Sequence, residues 1–195
     1  MMYPRPVMPS QPQRCYSIGD YFSLEEGSTV RHEFFNGEIF AMAGGTVAHN
    51  QIAGNVLGDL RSGLKGKPCR ALGSDMRLLT PGGLLTYPDV MVICGPVELA
   101  HGREDVVSNP VLLVEVLSDA TRAYDLGEKF ELYKAIATLR EYLVIEQRTI
   151  SVRAFRRAAS SWELAPFDRL EDTVSLSSID VPLRLVDVYE KVFDP

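Results

Sequence analysis

Val111-Leu112-Leu113-Val114-Glu115-Val116-Leu117 is apolar at every position but one. A strand of that composition has no side to turn toward water, so it belongs at the centre of a sheet covered on both faces. Glu115 then has no exposed face on which to rest. A carboxylate in such a place must be paired, metal-bound or neutralised, because burying it alone costs several kcal/mol or more.

Working outward, the same anomaly recurs twice. In Tyr87-Pro88-Asp89-Val90-Met91-Val92-Ile93, the period of two puts Asp89 on the face of Met91 and Ile93. Downstream, a helix is expected from Thr121 to Ala137. At about 100° per residue, Leu126, Phe130, Leu132, Tyr133 and Ile136 form an apolar arc with Lys129 near its middle and Lys134 outside it. Asp125 stands one turn before Lys129, but an exposed pair at that spacing contributes only about 0.3–0.5 kcal/mol. An ammonium on the buried side therefore needs stronger partners, and the carboxylates of Asp89 and Glu115 are the expected ones.

The flanking elements frame these strands. Ser17 is placed to cap a short helix through Leu24. Arg31 to Phe35 and Glu38 to Met42 flank Asn36-Gly37, a hairpin signal. From Thr46 to Leu64, Ile52, Val56, Leu60 and Leu64 recur every four residues and mark one face of an amphipathic helix. The cations Arg61, Lys65, Lys67 and Arg70 gather at its end, as a solvated helix terminus or as a substrate-binding patch. Cys69 to Leu79 and Leu84 to Ile93 read as an antiparallel pair across Pro81-Gly82-Gly83. Beyond the Lys129 helix come strands at Glu141 to Glu146, Ile150 to Phe155 and Trp162 to Phe167, and a closing helix from Leu185 to Val192. The fold class is α/β, in the sense of an α+β mixed sheet flanked by helices.

The chain has 195 residues and a net charge of −6, so a nucleic-acid partner has to be met by a local basic patch. Residues 1–15 read as a flexible proline-rich tail and 16–195 as one domain. There is no apolar run of membrane-spanning length. Cys15, Cys69 and Cys94 are far apart with no CxxC pair, which argues against a disulfide framework or zinc site and for a reducing cytoplasm.

Two carboxylates from neighbouring strands and a lysine make an oxygen-lined, hard-cation site suited to Mg²⁺ or Mn²⁺. Such a cation would polarise a phosphodiester, while Lys129 orients the attacking water. Pro88-Asp89, Val114-Glu115-Val116-Leu117-Ser118, Thr121, Asp125, Lys129, Tyr133 and Arg140 to Glu146 also resemble the Uma family of endonucleases, within the PD-(D/E)XK or restriction-endonuclease-like superfamily. The resemblance extends upstream to His32 through Glu38, His49 and Ser74-Asp75. It implies a divalent metal held by Asp89 and Glu115, Lys129 as the catalytic lysine, Glu33 as an additional acid, and DNA as substrate; endonuclease action on double-stranded DNA would favour a homodimer, one site per strand. One departure stands out: Leu117, not lysine, follows Glu115 by two residues.

Asp75, His49, Asp125 and Tyr133 are candidates for supporting that site, each with a plainer role as surface acid, cap or core. Two rivals come from other classes: a catalytically idle nuclease-fold binding protein with a buried ion network, and a hydrolase of small phosphodiesters.

Overall fold

The computed structural model describes residues 15–193, so the tail reading of residues 1–14 lies outside the described residues. Helix α1 (Ile18–Gly27) starts with a reciprocal cap. Ser17 Oγ accepts from the Asp20 amide at 3.1 Å, and Asp20 Oδ2 accepts from the Ser17 amide at 2.8 Å. Strands β1 (His32–Phe35) and β2 (Glu38–Ala41) form the expected hairpin, Asn36 and Gly37 turning at φ 49° and 79°. Helix α2 (Val47–Gly63) is capped by Thr46, whose hydroxyl accepts from the His49 amide, and it buries Ile52, Val56 and Leu60.

The next two ribbons depart from expectation, because each is shared between two sheets. Cys69 to Leu79 divides into β3 (Cys69–Gly73) and β4 (Arg77–Leu79). Leu84 to Ile93 divides into β5 (Leu85–Thr86) and β6 (Val90–Cys94). The pairing is antiparallel in both halves. Pro88 has no amide to give a ladder, and the opposite ribbon turns between Gly73 and Met76, so the pair bends away from one sheet and into the other.

Strands β7 (Val106–Val107), β8 (Leu112–Leu117), β9 (Glu141–Glu146), β10 (Val152–Arg157) and β11 (Trp162–Phe167) complete the two sheets. The larger has the order β11-β10-β9-β8-β6-β3, with β8 parallel to β9 and antiparallel to β6; the smaller is β2-β1-β5-β4-β7. A further hairpin, β12 (Thr173–Leu176) with β13 (Val181–Arg184), was not anticipated, and the closing helix α5 is only Leu185–Val188.

As its composition demands, β8 is buried at all six positions. Leu112, Val114 and Val116 join the apolar cluster of α2, the β12–β13 hairpin and α5. Leu113 and Leu117 join the opposite cluster, with Leu78, Met91, Phe130, Tyr133 and Tyr142. By alternation Glu115 belongs to this second face, where the Lys129 helix packs.

That helix is two helices, α3 (Arg122–Leu126) and α4 (Glu128–Lys134). They break at Gly127, whose φ and ψ of −116° and −104° no helix contains, and where an added Cβ would stand 2.8 Å from the Ala123 carbonyl oxygen. Glycine is also about 1 kcal/mol poorer than alanine inside a helix.

The cysteine expectation is corrected outright. Cys69 and Cys94 face each other across the β3–β6 ladder and are joined by a disulfide. Spacing along the chain could not show this, because the register brings together residues 25 apart. The pairing removes the argument for a reducing compartment that rested on unpaired thiols. It also ties the far end of the strand that begins beside Asp89 to the sheet edge. Closing a loop of this length is worth about 2–4 kcal/mol. Urea unfolding with and without reductant should show a fall in unfolding free energy of that size in the native protein and none in Cys69→Ser/Cys94→Ser. Among the described residues, no helix is long and apolar enough to cross a membrane.

Candidate active site

The bend between the two sheets, the hairpin β1–β2, the start of α2 and the pair α3–α4 enclose an open cavity of about 870 Å³. Its floor carries the ionisable residues that the apolar patterns singled out. Lys129 Nζ lies 3.0 Å from Glu115 Oε1, 3.0 Å from Glu33 Oε1 and 3.5 Å from Asp125 Oδ1. The ammonium points inward and its side chain is 5% exposed.

Each partner is held from a different element. Glu115 comes from central β8 and also accepts the Tyr133 hydroxyl at 2.7 Å. Glu33 comes from β1, where the Thr86 hydroxyl of β5 donates to the same Oε1 that meets Lys129. Asp125 comes from the last turn of α3, and its carbonyl accepts the Tyr142 hydroxyl at 3.0 Å. The break at Gly127 lies between Asp125 and Lys129, yet the two still meet.

Three carboxylates around one ammonium shape the protonation equilibria. Burial works against the charged Lys129, but Glu115, Tyr133, Glu33 and Asp125 outweigh it and hold its pKa well above the ordinary lysine value. Burial lifts the Glu115 carboxyl above the usual range, helped by Asp125 and Asp89 and opposed by Lys129 and Tyr133. Burial raises Asp125 likewise. Lys129 is therefore a fixed cation at neutral pH, suited to orienting and stabilising negative charge and unsuited to taking up a proton.

Asp89 stands one residue before β6 enters its ladder. Its Oδ2 accepts the Val116 amide at 2.7 Å and meets His49 Nε2 of α2 at 3.2 Å. His49 is pushed up by the hydrogen bond to Asp89 first, then by the charges of Asp89 and Glu115, against the pull of burial. Asp89 and Glu115 thus reach the same cavity from adjacent strands, linked through residue 116 of β8.

Two sets of candidates lie elsewhere. Asp75 sits in the turn between β3 and β4, its side chain 91% exposed and paired with Arg31, and it does not line the cavity. Arg61, Lys65, Lys67 and Arg70 are at the wrong end of α2. The cavity meets its first turns, at His49, Asn50 and Ala53, and 17 residues of helix, about 25 Å, separate the two ends. Lys67 instead caps the carbonyls of Ile179 and Asp180. Thr86 was missed by sequence reasoning altogether, since a two-residue strand carries no periodicity to read.

The sequence of residues 18–184 matches the Uma2 family, described as "Putative restriction endonuclease". The chain belongs to this family. This Uma2 chain is also similar to two proteins of Synechocystis sp., the uncharacterized proteins slr1290 and sll1609. The first is 30% identical over 93% of this chain and 95% of its own length; the second is 34% identical over 74% and 82%. Among solved structures, a "putative nuclease belonging to DUF820" from Anabaena variabilis superposes with a TM-score of 0.72 at 18% identity, covering 89% of this chain and 97% of that one. At that identity the match speaks for a shared fold, the α+β arrangement of mixed sheets and helices described above.

For this Uma2 chain the fit of a hard cation can be judged from the oxygens. The closest contacts of Asp89 fall on Oδ2 and those of Glu115 on Oε1, and both carboxylates line the open cavity. Among the described residues, no group of three or more His, Cys, Asp or Glu is spaced to hold a metal by itself. Two carboxylates that reach one cavity suit the way Mg²⁺ binds, through one or two carboxylates, several waters and the substrate's own phosphate oxygens.

Proposed function

We propose that this protein is a divalent-metal-dependent endonuclease that hydrolyses DNA phosphodiester bonds. The observation that carries the reading is the position of Lys129 Nζ, 3.0 Å from Glu115 on the floor of an open cavity that Asp89 also lines. An ion pair kept only for stability is better shielded when its surroundings close over it.

Asp89 and Glu115 would hold Mg²⁺ or Mn²⁺, which when bound would polarise the phosphodiester and acidify a bound water. The remaining work belongs to the chain. Lys129, kept charged by its carboxylate neighbours, directs the attacking water and offsets the charge that builds on the phosphoryl oxygens as the pentacoordinate state forms. Glu33, anchored by Thr86, and Asp125 fix the ammonium so that it need not reorganise during reaction. Tyr133 orients the Glu115 carboxylate from the other side. His49 holds Asp89 toward the cavity.

Incubation with supercoiled plasmid is expected to give nicked and linear products with Mn²⁺ or Mg²⁺ and none after chelation. Calorimetric titration should show ion binding in the native protein. If neither ion binds and no product forms, the ion network is structural and the chain is a nuclease-fold binding protein.

A further inference from the structure

The hairpin that supplies Glu33 has a second property that the hydrolytic reading does not use. In the β1–β2 register Glu33 lies opposite Phe40, and the Met42 amide donates to the Arg31 carbonyl two pairs further on. Residues paired or two apart in such a ladder share a face. Arg31, Glu33, Phe40 and Met42 therefore stand together, and all of them line the cavity.

Phe40 is 47% exposed. It opens a run of apolar residues, Phe40-Ala41-Met42-Ala43, which lines the cavity and belongs to none of the three apolar clusters of the core. Single exposed apolar side chains need no explanation, but a continuous apolar wall facing a polar floor marks a place for a ligand with an apolar face.

Charge narrows the choice of ligand. Among the described residues, five carboxylates line the cavity and only two permanent cations do, Lys129 and Arg31. Lys129 sits on the floor among three of those carboxylates and serves the reacting phosphate rather than the flanking chain. Arg31 alone is exchangeable, because its ion pair with Asp75 joins two side chains that are 45% and 91% exposed and is worth little. Duplex DNA, with its dense charge, needs a row of cations. Unpaired nucleotides can take much of their affinity from stacking on an aromatic ring, in a manner tolerant of sequence.

We propose that the cavity admits an unpaired nucleotide segment, its base stacked on Phe40 and a flanking phosphate on Arg31, beside the floor of Glu33, Glu115 and Lys129. The proposal rests on the phosphodiesterase reading and specifies its substrate class. The unpaired base comes either from single-stranded nucleic acid or from a dinucleotide, and a cavity of about 870 Å³ accepts either.

The test separates this proposal from the reading beneath it. Phe40→Trp places a reporter at the site, and binding is followed without metal, hence without turnover, by its fluorescence. Oligothymidylate, the dinucleotide TpT and a matched duplex are the probes. Quenching and a shift on adding oligothymidylate, with duplex bound at least roughly tenfold more weakly, are expected. Phe40→Ala should weaken oligothymidylate binding, followed by the anisotropy of an end-labelled probe, by about 5- to 100-fold, while Phe40→Trp retains it. Arg31→Ala should reduce the slope of log affinity against log salt by about one. Binding of TpT as tight as that of the oligomer identifies a dinucleotide source, and loss of TpT binding a single strand. Equal affinity for duplex and single strand, or an unchanged affinity in Phe40→Ala, overturns the proposal even if plasmid is cut. A fall in sedimentation mass on Phe40→Ala also overturns it, by showing that the wall covers a second copy of the chain. Quenching without cleavage under any ion would leave the proposal standing and refute the hydrolytic reading.

Discussion

Lys129→Ala is expected to abolish cleavage and to destabilise the protein by about 3–5 kcal/mol, the range for breaking a buried ion pair from one side. The substitution removes the one cation on which Glu33, Glu115 and Asp125 converge and leaves three carboxylates in a site where burial already disfavours charge. The fold has one relief available, which is to protonate. Adding Glu115→Gln to Lys129→Ala should therefore recover part of the lost stability, since the two groups are in contact and their effects cannot add. It should recover none of the activity, because the charge that faces the reacting phosphate is still missing. Urea midpoints and plasmid nicking rates on the four proteins of the cycle give both answers. An active Lys129→Ala of reduced stability would make the lysine a structural ion and the proposed mechanism wrong.

The same network explains what could and could not be read from the chain. Glu115 was legible because a charge inside an apolar strand violates the pattern of its own seven residues. Lys129 was legible from its helical angle, and the reading survived a broken helix because Gly127 interrupts the backbone without separating Asp125 from Lys129. The central position of β8 followed from its being apolar on both faces.

What escaped is of another kind. The ribbons Cys69 to Leu79 and Leu84 to Ile93 each continue through a bend that changes sheet, and the local signals at Gly73 and Pro88 do not say where a strand goes next. The disulfide depends on that register, so it was hidden with it. The β12–β13 hairpin has two strands of four residues, too short for alternation to stand above chance. The basic cluster at the end of α2 was a reasonable place for phosphate in one dimension. Which end of a helix meets the cavity is decided by tertiary packing, and the His49 end does.

Asp89→Asn is expected to leave the fold nearly intact and remove metal binding. Asparagine keeps an oxygen that can accept the Val116 amide, so the tie between the start of β6 and β8 survives, and the midpoint of unfolding should move by no more than about 1 kcal/mol. The negative charge that a hard cation needs does not survive. Mn²⁺ affinity should fall by roughly 100-fold or more, with cleavage falling alongside it. His49→Ala should be graded below it. The imidazole touches Asp89 from outside, and groups that orient a ligating carboxylate are worth about 10- to 100-fold in affinity. The order of the two variants is the discriminating result. Titration calorimetry with Mn²⁺ that finds Asp89→Asn binding like the native protein would reduce Asp89 to a strand anchor for Val116, and the two-carboxylate cation site would have lost one of its two ligands.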